Sequence, residues 1–228
     1  MSSDPKPNSA VGRRGLMIMV VSPSGVGKTS LTRRLVADHA DLTLSISATT
    51  REPRPGEHEG RDYHFVDRTA FDRMVAADEF LEWAEVYEHR YGSPKAPIMA
   101  SLDRGESVLF DIDFQGAMSI YDYAPADAVK VYILPPSLAE MSRRLHARSQ
   151  DSETVIAKRL ARAKSEITLW TKFDYVLLND DFDRAYAELA HIYHAEKLKR
   201  SRNPWILTTV QSLLDEPLDG LVEAGERS

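Results

Sequence analysis

Ser22-Pro23-Ser24-Gly25-Val26-Gly27-Lys28-Thr29 follows directly on the apolar run Leu16-Met17-Ile18-Met19-Val20-Val21 and leads into a helix-like stretch from Ser30 to Asp38. A strand, a glycine-containing turn and a helix in that order form a phosphate cradle. Gly25 and Gly27 let consecutive backbone N–H groups curl around an anion, and the helix N-terminus adds its partial positive charge. Lys28 is placed to reach β- and γ-phosphates, and the Thr29 hydroxyl to ligate Mg²⁺. The strict pattern G-x-x-x-x-G-K-[ST] has glycine where this chain has Ser22, but the flanking strand and helix supply the context the motif needs.

Outward from this segment, apolar runs alternate with helical patterns. Strands are expected at 15–21, 42–47, 107–111, 129–134 and 174–178, with helices at 28–38 and about 183–200. Strands alternating with helices predict an α/β fold, a parallel sheet covered by helices on both faces. Between Ala48 and Pro94 the chain turns polar, aromatic and proline-punctuated, which reads as an insertion carrying a binding surface. From Arg143 to Leu169 arginines ride on a helical pattern with the apolar stripe Ile156, Leu160, Ala163 and Ile167, and Arg159 lies off that stripe. Residues 1–14 read as a flexible tail, 15–202 as the domain, and 203–228 as an extension with a frayed acidic end.

The 228 residues, 43% hydrophobic and 28% charged, suit one globular domain. No apolar run nears the roughly 18 residues that a membrane span needs. The start Met1-Ser2-Ser3-Asp4-Pro5 lacks the apolar core of a secretory signal, so a cytoplasmic location is expected. The absence of cysteine excludes disulfide and Cys–metal frameworks. A net charge of −6 argues against a nucleic-acid partner. Among the 7 histidines, His191 and His194 are the closest helical pair, and that spacing reads as a solvated face. The oligomeric state is not set by the sequence, and a homo-oligomer is left open.

Several clusters suggest chemistry. Arg51 and Arg54, in Thr49-Thr50-Arg51-Glu52-Pro53-Arg54-Pro55-Gly56, stand three apart in a proline-stiffened stretch suited to gripping a phosphate. Tyr63 and Tyr91 lie near Gly60 and Gly92 and are either phenol donors to phosphate oxygens or half-buried packing aromatics. Glu82, in Phe80-Leu81-Glu82-Trp83, is either a surface residue of a short helix or an acceptor for a ligand. Asp111-Ile112-Asp113 ends the apolar run Val108-Leu109-Phe110, at the sheet edge where ligands bind in open α/β folds. Asp111 is a candidate for the Mg²⁺ shell, and one of the two aspartates is expected to cap the helix beginning near Gln115.

Taken in order, the phosphate loop at 22–28, Ser47-Ala48-Thr49-Thr50-Arg51-Glu52-Pro53-Arg54, Asp62-Tyr63-His64-Phe65, Phe80-Leu81-Glu82, Tyr91-Gly92-Ser93, Asp111-Ile112-Asp113 and Val176-Leu177-Leu178-Asn179-Asp180-Asp181 resemble the guanylate kinases. The resemblance covers about residues 15–200. It implies a P-loop NTPase fold with a GMP-binding insertion at 48–94 and a helical lid at about 143–170, and phosphoryl transfer from ATP to GMP with Mg²⁺, giving ADP and GDP. It further implies that Ser22, Pro23, Ser24, Gly25, Val26, Gly27, Lys28, Thr29 and Asn179 bind ATP. Arg51, Arg54, Tyr63 and Tyr91 would hold the GMP phosphate, while Ser47, Glu82, Ser93 and Asp113 would read guanine. Arg148 and Arg159 match lid arginines that act in catalysis with Lys28 and Arg51, although Ser149 stands where the family commonly has glycine. Two rivals are a related P-loop kinase for another small phosphate, which Glu82 with Ser47 and Arg54 disfavours, and a non-catalytic guanylate-kinase-like module, which the intact loop disfavours.

Overall fold

Met17, Met19 and Val21 point to one side of strand β1 (Met17–Val21) and Ile18 and Val20 to the other, and all five side chains are buried. That is how a strand covered on both faces reads: an unbroken apolar run. The computed structural model describes residues 12–86, 88–147 and 152–217. After β1 come α1 (Lys28–Asp38), β2 (Leu42–Leu44), β3 (Ala48–Thr49), β4 (His64–Phe65), α2 (Arg68–Ala76), β5 (Phe80–Val86) and β6 (His89–Pro94). These are followed by α3 (Lys95–Asp103), β7 (Ser107–Asp111), α4 (Phe114–Tyr123), β8 (Ala128–Leu134), α5 (Leu138–Ala147), α6 (Glu153–Ile167), β9 (Tyr175–Leu178), α7 (Phe182–Lys197) and α8 (Trp205–Leu214).

The main sheet has five parallel strands in the order β2-β7-β1-β8-β9. Its two faces carry separate cores. Ile18 and Val20 pack with Leu31 and Leu35 of α1 and with Leu189 and Ile192 of α7. Met17, Met19 and Val21 pack with Ile98 and Leu102 of α3 and with Ala117 and Ile120 of α4. The expected parallel sheet with helices on both faces is therefore what the chain forms.

A second sheet, in the order β4-β3-β6-β5, is formed by strands of the segment between Ala48 and Pro94. Its own small core joins Ala48, Phe71 and Phe80, with the rings of Phe71 and Phe80 stacked 4.6 Å apart. Three expectations change. The strand expected at 42–47 stops at Leu44, and pairing resumes at Ala48 in the other sheet. The helical pattern from Arg143 to Leu169 is two helices, α5 and α6. Glu82 lies on β5, not on a short helix: the register of β5 against β6 shifts between Phe80 and Glu82, so Phe80 and Leu81 are both buried and the alternation that marks a strand is lost.

Residues 13 and 14 of the expected tail, and the first residues of the expected extension, make specific contacts with the domain. The Arg14 guanidinium donates to both Asp127 carboxylate oxygens and to Asp103, and Arg13 Nε donates to Asn203 Oδ1 at 3.0 Å. Asn203 in turn ties down the turn before α8 by donating to the carbonyls of Lys197 and Lys199. Residues 1–11 and 218–228 of the expected tail and extension lie outside the described residues. No helix among those described is long and apolar enough to cross a membrane.

Candidate active site

The loop from Ser22 to Gly27 leaves the carboxyl end of β1 and delivers Lys28 and Thr29 to the first turn of α1. Gly25 and Gly27 adopt φ of +85° and +99°, a region that side chains avoid. Space forbids a side chain as well: a Cβ on Gly25 would stand 3.0 Å from Leu145 Cδ2, and one on Gly27 would stand 2.7 Å from Asn179 Nδ2. Between them Val26 is fully buried. Its carbonyl accepts hydrogen bonds from Asn179 Nδ2 at 2.7 Å and Arg144 Nη1 at 3.1 Å. Asn179, only 3% exposed, therefore sits beneath the loop and braces it.

A cavity of about 580 Å³ opens over this loop, with Asp111 and Asp113 on one side and Arg159 and Arg162 across it. Arg159 reaches it from α6, as its place off the apolar stripe predicts. Arg148 and Ser149 lie outside the described residues. The Lys28 ammonium pairs with Asp111 Oδ1, and Thr29 Oγ1 lies 3.3 Å from Asp111 Oδ2. A hydroxyl and a carboxylate on one wall form an oxygen donor set that suits a hard cation such as Mg²⁺.

A second cavity, about 330 Å³, is lined by Ser47, Glu57 and Tyr63 and also by Thr29, Asp111 and Ile112. The last three residues belong to both cavities, so the two spaces meet at Thr29 and Asp111. Arg51 approaches this region with its guanidinium 5.3 Å from the Tyr63 ring centre, and Tyr63 meets Tyr91 edge-on at 6.0 Å. Arg51 Nη2 donates to both Glu57 carboxylate oxygens, at 2.8 and 2.9 Å, and Glu57 also accepts the Arg54 backbone N–H at 2.8 Å. The Arg54 side chain is exposed on the same turn.

Glu82 and Ser93 face each other across β5 and β6, and Ser93 Oγ donates to Glu82 Oε1 at 2.6 Å. The other oxygen, Oε2, lies against Gly116, where a Cβ would stand 3.2 Å from it. Burial pushes the Glu82 carboxyl up from the usual range, the Ser93 hydrogen bond opposes that rise, and the nearby Asp113 carboxylate adds to it. Asp113 is the expected cap: its Oδ1 accepts the Gly116 N–H at 2.9 Å at the start of α4.

Sequence reading passed over three contributors. Arg144 holds the loop through Val26 and is itself held by Glu140 at 2.7 Å; a helical arginine gives no local sign of that distant contact. Glu140, between Arg143 and Arg144, is held down to about 2 by their hydrogen bonds. Glu57 had a signal in its place three residues after Arg54. The glycines near the tyrosines meet packing and turning demands of their own. A Cβ on Gly92 would meet Phe80 Cδ1 at 2.8 Å, and Gly60 has φ +71° in open space.

The guanylate kinase family model matches residues 14–196. A guanylate kinase of Caulobacter vibrioides is 74% identical over 205 residues, covering 90% of this chain and 96% of the relative. One of Maricaulis maris is 50% identical over 95% of this chain and its own full length. The crystal structure of guanylate kinase from Anaplasma phagocytophilum superposes with a TM-score of 0.72 at 32% identity, covering 90% of this chain and 98% of that one. The phosphate loop, the joined cavities and the carboxylate on the inserted sheet thus occur in a chain that belongs to the guanylate kinase family.

Proposed function

We propose that the two cavities are the donor and acceptor halves of one phosphoryl-transfer site, in which ATP lies over the phosphate loop and GMP against the second sheet. The observation that carries this reading is that both cavities share Thr29, Asp111 and Ile112, so two phosphate chains would meet where Lys28 and Thr29 leave the loop. The reaction is ATP + GMP → ADP + GDP.

The loop N–H groups and the α1 N-terminus hold the ATP phosphates, and Lys28 supplies positive charge to the oxygens that gain negative charge as the phosphoryl group moves. Arg159 adds charge from the lid, with Arg148 in the same role. Thr29 and Asp111 would hold Mg²⁺, which neutralises phosphate charge when bound. Arg51, Arg54, Tyr63 and Tyr91 grip the GMP phosphate and aim its oxygen at the donor. Glu57 positions Arg51 by the pair of contacts described above. The lid at about 143–170 and the 48–94 insertion close toward each other when both nucleotides bind, since water in the site would hydrolyse ATP.

Base selection rests on Glu82. Guanine presents adjacent N1–H and N2–H donors that one ionised carboxylate accepts side by side, whereas adenine presents an acceptor at N1. The Ser93 hydroxyl holds one carboxylate oxygen, and Ser47 and Asp113 complete the base pocket. In Glu82→Gln an NH₂ faces a guanine donor, so one hydrogen bond is lost and a repulsive contact appears. The expected cost is about 1.5 to 3 kcal/mol in kcat/KM for GMP, roughly 10- to 150-fold, with little change in KM for ATP. Unchanged GMP kinetics in this variant would remove Glu82 from base recognition.

A pH dependence follows from the same residue. Only the ionised carboxylate accepts both guanine donors, and burial raises its pKa. As pH falls, kcat/KM for GMP should therefore decline at a pH above the ordinary glutamate value of about 4.3. The limb should be absent from Glu82→Gln. An acid limb that is identical in the two proteins would assign it to another group.

A further inference from the structure

His39 ends α1, and its Nδ1 lies 2.8 Å from the carbonyl oxygen of Leu35, one turn earlier. That contact places the ring proton on Nδ1 and leaves a lone pair on Nε2. His194 of α7 sets its own Nε2 3.1 Å from that atom. The ring centres are 4.9 Å apart and the planes are inclined at 56°. A collinear N–H···N contact of that length would add both ring radii to it and separate the centres further. The shorter separation means that the contact is bent, an arrangement that also lets both nitrogens face one common point.

Two imidazole nitrogens bound at about 2.0–2.1 Å to one ion stand roughly 3.3–3.4 Å apart at the ideal tetrahedral angle, and about 3.1 Å apart when that angle closes to about 95–102°. The observed separation matches the narrower angle. The backbone carbonyl on Nδ1 of His39 is the kind of outer contact that orients a metal-bound imidazole.

The helices that carry the pair are fixed against each other. Arg34 pairs with Asp183 and stacks over Tyr186 at 4.1 Å, and the Tyr186 hydroxyl donates to Asp38. His39 meets the buried Tyr193 ring edge-on at 5.1 Å. Asp41, whose charge acts on His194, is already engaged by Tyr193 and Lys197. Among the described residues no group of three or more histidines, cysteines or carboxylates could hold a metal, so water would complete the shell.

We propose that His39 and His194 form a two-histidine site for a borderline divalent transition cation, Zn²⁺, Ni²⁺ or Cu²⁺, which clamps the end of α1 to α7. Nitrogen donors select such ions over Mg²⁺, which favours oxygen. The site is separate from Thr29 and Asp111, which lie at the opposite end of α1. The proton between the two nitrogens is the one that coordination displaces, to Nδ1 of His194 or to solvent.

Untagged, chelator-treated full-length protein tests this by thermal unfolding with Ni²⁺ and, separately, with Mg²⁺, and by calorimetric Ni²⁺ titration well below the unfolding temperature. At free Ni²⁺ about ten times Kd, the midpoint should rise by about 3–6 °C. His39→Gln and His194→Gln should each abolish the rise and weaken Ni²⁺ binding at least about 10-fold, while leaving ADP release, assayed with Mg²⁺ and without Ni²⁺, unchanged. His191→Gln, altered on the same helix, should keep both effects. A rise that survives in the His39 and His194 variants, that Mg²⁺ reproduces, or that does not occur in the unaltered protein overturns the proposal.

Discussion

Lys28→Ala should lower kcat by on the order of 10²- to 10³-fold while the protein stays folded, because a preorganised charge at the transferring group is worth that much. The fold should survive because the Lys28 and Asp111 side chains are 19% and 27% exposed. Removing the lysine therefore leaves no charge sealed from water, and a partly exposed pair of this kind contributes little to stability. The loop geometry does not depend on Lys28 either. It rests on the two glycines, on buried Val26, and on the bonds from Asn179 and Arg144 to the Val26 carbonyl. Steady-state ADP release and a thermal melt on the same preparation check both halves. Activity above a tenth of the unaltered protein's would remove Lys28 from the mechanism.

The largest expected loss of stability lies far from the loop. Glu196 and Arg202 are 1% and 3% exposed, and Arg202 Nη2 approaches Glu196 Oε2 at 3.3 Å. Glu196 also accepts from the Tyr175 hydroxyl at 2.6 Å and pairs with Lys199 at 2.7 Å. Its hydrogen bond, with burial adding, pushes the Tyr175 hydroxyl up to about 12. Arg202 keeps one other acceptor, the Ala126 carbonyl at 2.8 Å, and its Nε is buried with no partner. Glu196→Ala would thus remove the main countercharge of a buried guanidinium, leaving it the Asp127 carboxylate that Arg14 already engages, at a cost of about 3–5 kcal/mol. Changing both partners, Glu196→Leu with Arg202→Leu, should recover much of that loss, since no buried charge remains. Urea unfolding of the single and double variants measures this. A single-variant loss under about 1 kcal/mol would mean that water reaches the pair.

The reason for that ion pair was invisible in the sequence, where residues beyond about 202 fell outside every motif. The Arg14 N–H donates to the Arg202 carbonyl, and Arg13 reaches Asn203, so the segment before β1 and the segment after α7 are joined by contacts that no local pattern encodes. The main sheet was legible because its strands are short, continuous apolar runs set between helical patterns, and because the loop glycines mark the β1 to α1 turn without ambiguity. Glu82 was legible as a costly carboxylate among apolar neighbours. Its strand was not, since the shifted register at Leu81 removes the alternation that would have revealed it. His194 was read against His191 on its own helix, but its partner across the fold is His39, a long-range pairing that helical spacing cannot indicate.

Selection of guanine by the Glu82 carboxylate of the second sheet is the central part of the proposed function. Coupled ADP release with saturating ATP, comparing GMP with AMP, CMP and UMP as acceptors, tests it most directly. A site whose buried polar groups are matched to one base should favour GMP over AMP by on the order of 10³-fold or more in kcat/KM. Comparable kcat/KM values for GMP and AMP would contradict the account.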